Sequence, residues 1–269
     1  MKSLNTYIEN YIENYLNESL LDDEDTFSDP ERDRNIVENW IKENYEEKFY
    51  KKLSITTSND NSLFVVKCDG QILVKNKNIE YLTNGLFVFD DVGDFSCFGC
   101  KNLKSLKGAP KKVRMSFSCA HCNSLKTLKG SPEEVGVNFY CFGCDGLENF
   151  EGAPKKVGGD FNGYNCKNIR TLKGSPEFVK GSFICKKCPL IKDLEGSPKI
   201  VIGYYNCDDC TGLETFKGIS ENIKTGIMCN NCTSLRDITD IKKLGGPIIA
   251  NKCPNILQPT PNLDKKLIR

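Results

Sequence analysis

Residues 117–135 read Phe117-Ser118-Cys119-Ala120-His121-Cys122-Asn123-Ser124-Leu125-Lys126-Thr127-Leu128-Lys129-Gly130-Ser131-Pro132-Glu133-Glu134-Val135. The same order of residue types recurs along the chain every 22 residues. The first cysteine returns as Cys97, Cys141, Cys185, Cys207 and Cys229, with Gly163 at the one place that breaks the series. The second returns without a break as Cys100, Cys144, Cys166, Cys188, Cys210 and Cys232. An apolar residue stands two before the first cysteine (Phe95, Phe117, Phe139, Phe161, Phe183, Tyr205, Ile227), and leucine or isoleucine follows the second. Gly-x-Pro and a valine close five of the seven units, as in Gly108, Pro110 and Val113. A fixed period in this range marks a solenoid, because one such unit cannot bury its own apolar face and must stack on its neighbours. The fold class expected is a repeat solenoid, mainly β. The apolar columns Phe117 and Cys119 alternate with polar residues, which reads as strand. Proline in the return path has no N–H to give and restricts the residue before it, so the convex side is expected to be extended and not helical.

The segment Phe117-Ser118-Cys119-Ala120-His121-Cys122-Asn123-Ser124-Leu125-Lys126-Thr127-Leu128 resembles the leucine-rich repeat, with phenylalanine and cysteine where that family has its two strand leucines. The resemblance covers about half the chain. It implies a parallel sheet of one short strand per repeat, with Phe117 and Cys119 pointing into the core. It also implies that Cys122 takes the ladder position at which the family carries asparagine or cysteine.

The chain has 269 residues, 39% of them apolar, ample for a thin but continuous core. No stretch approaches ~18 consecutive apolar residues, so no membrane span is expected. Met1-Lys2-Ser3-Leu4-Asn5-Thr6 runs into a segment rich in Glu and Asn without an apolar h-region, which predicts no secretory signal and a chain that stays inside a cell. Of 36 acidic and 37 basic residues, residues 1–60 hold 15 acidic and 7 basic, so the remainder is basic. Lysines in the return turns nonetheless alternate with glutamates one repeat away: Lys111 and Lys112, then Glu133 and Glu134, then Lys155 and Lys156. With repeats roughly 4.8 Å apart along a sheet, this predicts pairing between repeats. A nucleic-acid stripe, which needs uncompensated charge, is not expected.

Residues 1–48 read as an acidic helical segment. Leu4, Ile8, Ile12, Leu16 and Leu20 make an apolar stripe at every fourth position, followed by Asp22-Asp23-Glu24-Asp25. That helix is either a docking element for a partner or an arm folded along the solenoid. Its polar face is acidic, unlike that of a membrane-surface helix. Ser28-Asp29-Pro30-Glu31 signals a second helix, with Ile36, Val37, Trp40, Ile41 and Tyr45 on its apolar face. Residues 49–78 read as a β-meander, Leu53–Thr57, Leu63–Lys67 and Gln71–Val74 with an Asp69-Gly70 turn, that covers the first edge of the solenoid. The solenoid is assigned to 79–253, beginning with a degenerate repeat. Residues 254–269 are expected to be a cap followed by a loose tail.

Fifteen cysteines, most of them in C-x-x-C pairs, could supply zinc ribbons. The period favours a core ladder of reduced thiols, since the apolar columns already fix where the sulfurs go and Gly163 would remove a ligand. No metal and no cofactor are expected. His121, the only histidine, is expected near the surface just after its strand. Neither a triad, a carboxylate pair nor a phosphate-binding glycine loop is present to argue for an enzyme.

If the Phe and Cys columns face inward, the residues between and after them form the concave face. The candidates for partner contact there are Phe98, His121, Tyr140, Phe142, Tyr164, Ile184, Tyr204 and Met228. Two readings of these aromatics stand side by side, partner contact and cross-strand packing. Beyond the repeat, Met1–Leu4, Glu18–Asp25 and Trp40–Tyr45, combined with tandem Gly-x-Pro and cysteine repeats, resemble hypothetical proteins of tailed bacteriophages and gut viromes. The resemblance implies a phage-encoded protein of the host cytoplasm or virion. In large phages similar N-terminal segments direct proteins to the capsid and are cleaved after a short motif that Leu16-Asn17-Glu18 fits. The function expected is a non-catalytic protein-interaction scaffold. The alternatives are a zinc-binding protein using the C-x-x-C pairs and a virion-packaged protein.

Overall fold

The computed structural model describes residues 30–47, 53–58, 63–257 and 261–269. The helix expected over residues 4–20 lies outside them. The repeats wind into a parallel β-solenoid of about nine turns.

Each coil contributes to two parallel ladders, not one. The first is the expected ladder of the Phe column, running Ile72, Phe95, Phe117, Phe139, Phe161, Phe183, Tyr205, Ile227, Ile248 and Leu267. The second runs through the valines that follow Gly-x-Pro: Cys68, Val92, Val113, Val135, Val157, Val179, Val201 and Ile223, with a bridge to Leu244. The return path was expected to be merely extended. It hydrogen-bonds as strand because proline leaves the chain extended and a β-branched residue then turns inward between polar neighbours. The third side of each coil is a run of turns: Leu103 N–H donates to Cys100 O (3.1 Å) and Ala109 N–H to Leu106 O (2.9 Å). In the latter turn Gly108 has φ 87°, open to glycine and costly for any L side chain.

The core is a continuous cylinder of these columns. Rings of successive coils stack face to face, Phe117 on Phe139 at 5.3 Å and Phe139 on Phe161 at 5.4 Å between centroids. Each such ring, wholly buried, contributes about 1.5–3 kcal/mol. The exchange of charge between repeats is realised at several places, including Lys156–Glu134 (3.5 Å) and Lys192–Glu214 (2.9 Å). Both pairs are exposed, so their main effect is to match charge in register.

Helix α1 (Pro30–Asn44) buries Val37 and Ile41 and packs Ile36 and Trp40, on the apolar face expected, against the core. Strand β1 (Leu53–Thr57) pairs antiparallel with the first half of β2 (Phe64–Leu73), which in turn runs parallel to β3 (Phe87–Ser96). The expected turn at Asp69-Gly70 does not form. Strand β2 continues through it with a register shift between Cys68 and Gln71, because both its halves are ladder members of the first coil. Just beyond α1, Glu46 N–H donates to Leu73 O and Lys75 N–H to Asn44 O, closing the Phe ladder. Both ladders are thus capped at this end. At the other end, the segment expected to be a loose tail carries a short helix, α2 (Pro261–Asp264), and an edge strand, Leu267–Ile268, on the Phe ladder. Among the described residues no helix is long and apolar enough to cross a membrane.

Candidate interaction surface

The face expected to be concave is built from columns set by the Phe ladder. One residue before each ladder Phe, a polar side chain accepts from the backbone of the next coil: Ser116 N–H to Asp94 Oδ1 (2.9 Å), Asp160 N–H to Asn138 Oδ1 (2.7 Å) and Ser182 N–H to Asp160 Oδ1 (2.7 Å). These bonds satisfy amides where the chain bends between its two strands. The column between Phe and Cys carries Ser96, Ser118, Tyr140, Asn162, Ile184, Asn206 and Met228 in register. The residue just before the second cysteine is left-handed in coil after coil, with His121 at φ 58°, Asn165 at 57° and Lys187 at 56°, and Gly99 and Gly143 also positive.

That conformation aims the His121 ring along the surface. It packs edge-on against Phe98 and Phe142, both at 5.3 Å, and lies over Gly143, where an added Cβ would sit 2.5 Å from the imidazole. Phe98 and Phe142 approach to 6.3 Å, and Tyr140 meets Phe142 at 6.2 Å. Phe98, His121, Tyr140 and Phe142 therefore form one cluster. Phe98 is 45% exposed while Tyr140 and Phe142 are half-buried. The Tyr140 hydroxyl accepts from Asn138 Nδ2 at 2.8 Å, so its polar tip is satisfied within the fold. A shallow groove of about 340 Å³ borders the cluster, with Gln71, Asp94, Ser96, Ser116 and Ser118 on its polar side. Of these, Gln71 and Asp94 were missed in the sequence because they belong to coils whose cysteine pattern is absent or only beginning.

The remaining candidates stand apart. Tyr164 lies in the same column as Phe142 but takes the Lys187 ammonium over its ring at 5.7 Å. Ile184 and Met228 are half-buried further along, and Met228 Sδ accepts from Asn206 Nδ2 (3.7 Å). Tyr204 is exposed at the first position of its strand, one residue before the ladder residue Tyr205. Lys186 pairs with Asp208 and Asp209, each at 3.7 Å.

All fifteen cysteines are buried and free. Where the preceding coil has a first cysteine, the second cysteine donates its thiol to that residue's carbonyl, as in Cys122 to Cys97, Cys144 to Cys119, Cys210 to Cys185 and Cys232 to Cys207, all at 3.1 Å, while Cys188 donates to Gly163 O at 3.5 Å. Burial, followed by bonding to Cys144, pushes the Cys119 thiol well above its ordinary range, and burial does the same with Cys166 at Cys141. Such thiols stay protonated and unreactive. Among the described residues no group of three or more His, Cys, Asp or Glu is placed to hold a metal ion. No family model, curated protein or solved structure matches the chain.

Proposed function

We propose that the protein is a non-catalytic scaffold that binds a protein partner through the concave cluster of Phe98, His121, Tyr140 and Phe142. The observation that carries this reading is the 45% exposure of Phe98 amid a serine-lined groove. A fold needing only strand pairing could fill the neighbouring column, where Tyr140 stands, with serine or asparagine, as it does at Ser96, Ser118 and Asn162. Rings beside hydroxyl and carboxylate groups suit an extended peptide, whose apolar side chains would cover the rings while its polar groups meet Asp94 and the serines.

The leucine-rich-repeat-like reading of the coil is supported by the second-cysteine column, whose thiols bond the turn carbonyls of the preceding coil. The assignment to a phage-encoded protein of the host cytoplasm or virion rests only on the resemblance of the N-terminal segments combined with the tandem Gly-x-Pro and cysteine repeats. The test is capture of partners with the purified protein from infected or native host cells, followed by affinities of Phe98→Ala and Tyr140→Ala. Losing a central ring is expected to cost about 2 kcal/mol or more. Full affinity in both variants, with unchanged circular dichroism, would move the site elsewhere.

A further inference from the structure

The two ends of the solenoid are finished differently. At the first coil both ladders end on antiparallel neighbours, β1 on one and the Asn44–Glu46 segment on the other. At the last coil only the Phe ladder gains an edge strand, Leu267–Ile268, and among the described residues nothing pairs beyond it. Nor does a described strand follow Leu244 on the valine ladder or Leu257 on the turn side. The thinness of this end is visible in Cys253, 7% exposed where the other cysteines are 0–2% exposed. Leu257 (66%) and Ile268 (52%) are the most exposed large apolar side chains of the described chain, and Leu244, Ile256 and Leu263 are only partly covered. An open ladder end with exposed apolar surface is a template for another chain.

The charge around this end narrows what can cover it. Residues 240–269 contain six basic side chains against Asp240 and Asp264. Lys243, Lys252, Lys265 and Arg269 are all exposed, and none is in an ion pair among the described residues. Two such ends meeting tail to tail would bring like charges together. Residues 1–29, in contrast, hold eight acidic side chains and one basic one, and carry the apolar series Leu4, Ile8, Ile12, Leu16 and Leu20 just before Asp22-Asp23-Glu24-Asp25. Apolar stripe and acidic run match apolar end and basic rim. Residues 1–29 precede α1, which packs at the opposite end of the solenoid, about nine coils or roughly 40 Å away at the sheet spacing. Reaching the basic end of its own chain requires spanning the whole array. In copies stacked head to tail the two surfaces are adjacent.

We propose that the open C-terminal end receives residues 4–25 of a second copy of this chain, in a heterologous, head-to-tail contact that propagates into short linear assemblies. Repetition follows because each copy has one donor and one acceptor at opposite ends, and such a contact closes into a ring only if its rotation permits. This goes beyond the concave site, which the contact leaves free.

The test uses the full chain in sedimentation velocity over a concentration series. Association beyond the monomer that rises with concentration is expected, together with its loss in about 1 M salt, where the screening length falls to about 3 Å. The charge-reversed variants Lys265→Glu with Arg269→Glu, and Asp22→Lys with Asp25→Lys, are each expected to weaken self-association by roughly tenfold or more. Mixing the two variants pairs a basic donor with an acidic acceptor and is expected to restore it. A monomer at every concentration would overturn the proposal, as would association that ignores both reversals or a mixture that fails to reassociate. A reversal that alters the shape of the monomer without concentration dependence would place the segment on its own solenoid and equally overturn it. Circular dichroism of each variant checks that the fold is retained.

Discussion

The ring of Phe150 occupies the space that a side chain at Gly163 would need: a Cβ there would lie 2.5 Å from Phe150 Cζ and 2.8 Å from Cε1. Phe150 stands in the column that holds leucine at Leu106, Leu128, Leu172 and Leu194, and Gly163 in the column that otherwise holds cysteine. A larger side chain on one side of the coil is offset by a smaller one thirteen positions later on the next. The ring then packs edge-on against Phe161 at 5.0 Å and Phe183 at 6.3 Å. Phe216 fills the same column beside Cys229, where the ladder residue is Ile227 and not Phe, so the break at Gly163 goes with Phe150 packing beside two ladder rings.

Gly163→Cys restores the column and overpacks the site, with an expected loss of about 1–3 kcal/mol. Phe150→Leu alone leaves a void and also destabilises. The double variant recreates the Leu and Cys pairing of neighbouring coils and is expected to be more stable than either single change, a coupling of about 1–3 kcal/mol in a double-mutant cycle by urea unfolding. Additive effects would show that the two positions do not share the space.

Much of this arrangement was legible in the sequence, because every core column repeats at the coil length and burial leaves no freedom in which face Phe139 or Cys141 presents. The second strand at Val135 was not, since two residues are too short for an alternation and the Gly-x-Pro before them signals a turn. Asp69-Gly70 misled for a related reason. A favourable turn dipeptide lost to the parallel pairing of Gln71–Leu73 with Asp94–Ser96, contacts that local chemistry does not encode. One readable signal went unused: the polar residue before each second leucine, such as Thr127, Asn149 or Asp193, accepts from the amide two residues on. At the surface, the clustering of Phe98 with Phe142 depended on the direction of side chains two coils apart, which spacing does not supply.

The sulfur ladder gives a second expectation. Cys144 is fully buried and its thiol bonds Cys119 O at 3.1 Å, while that carbonyl also accepts from Cys122 N–H at 3.3 Å. Cys144→Ala therefore removes a small buried group without orphaning the carbonyl, and should cost ~1–2 kcal/mol. Zinc content measured on both proteins is expected to be the same. Unfolding on chelation, or a loss of bound metal in the variant, would refute the ladder role.

Alkaline pH should destabilise the fold unusually steeply. Nine buried thiols, Cys100, Cys119, Cys122, Cys141, Cys185, Cys188, Cys207, Cys229 and Cys232, are held above their ordinary range by burial and, at all but Cys188 and Cys207, also by bonds to neighbouring cysteines. An unfolded chain releases these protons near pH ~8.5, whereas the folded chain keeps them. Their stabilising effect is complete below that pH and is lost as pH rises toward the folded values, by up to ~1.4 kcal/mol per pH unit for each thiol. The melting temperature, measured with a phosphine reductant from pH 7 to about 10, is expected to fall continuously above pH ~8.5. A flat profile across that window would mean that the thiols are not shielded as described.

The last expectation concerns Ala120, which is wholly buried in the column between Phe98 and Phe142. The backbones carrying those two rings are two coils apart, roughly 9.6 Å at the strand spacing, yet their centroids lie 6.3 Å from each other. The rings must lean together over the intervening methyl group, and His121 closes the side at 5.3 Å from both. A larger residue at 120 cannot fit beneath them, but the rings border open solvent and can swing aside. Ala120→Leu is therefore expected to cost little stability, about 1 kcal/mol at the lower end of overpacking effects, while separating the rings. Nuclear Overhauser contacts between the Phe98 and Phe142 rings should disappear in the variant, and partner affinity should fall with them. Contacts that persist would show that the cluster is held by something other than the small residue at its centre. Lost contacts with undiminished affinity would show instead that the partner does not read the cluster.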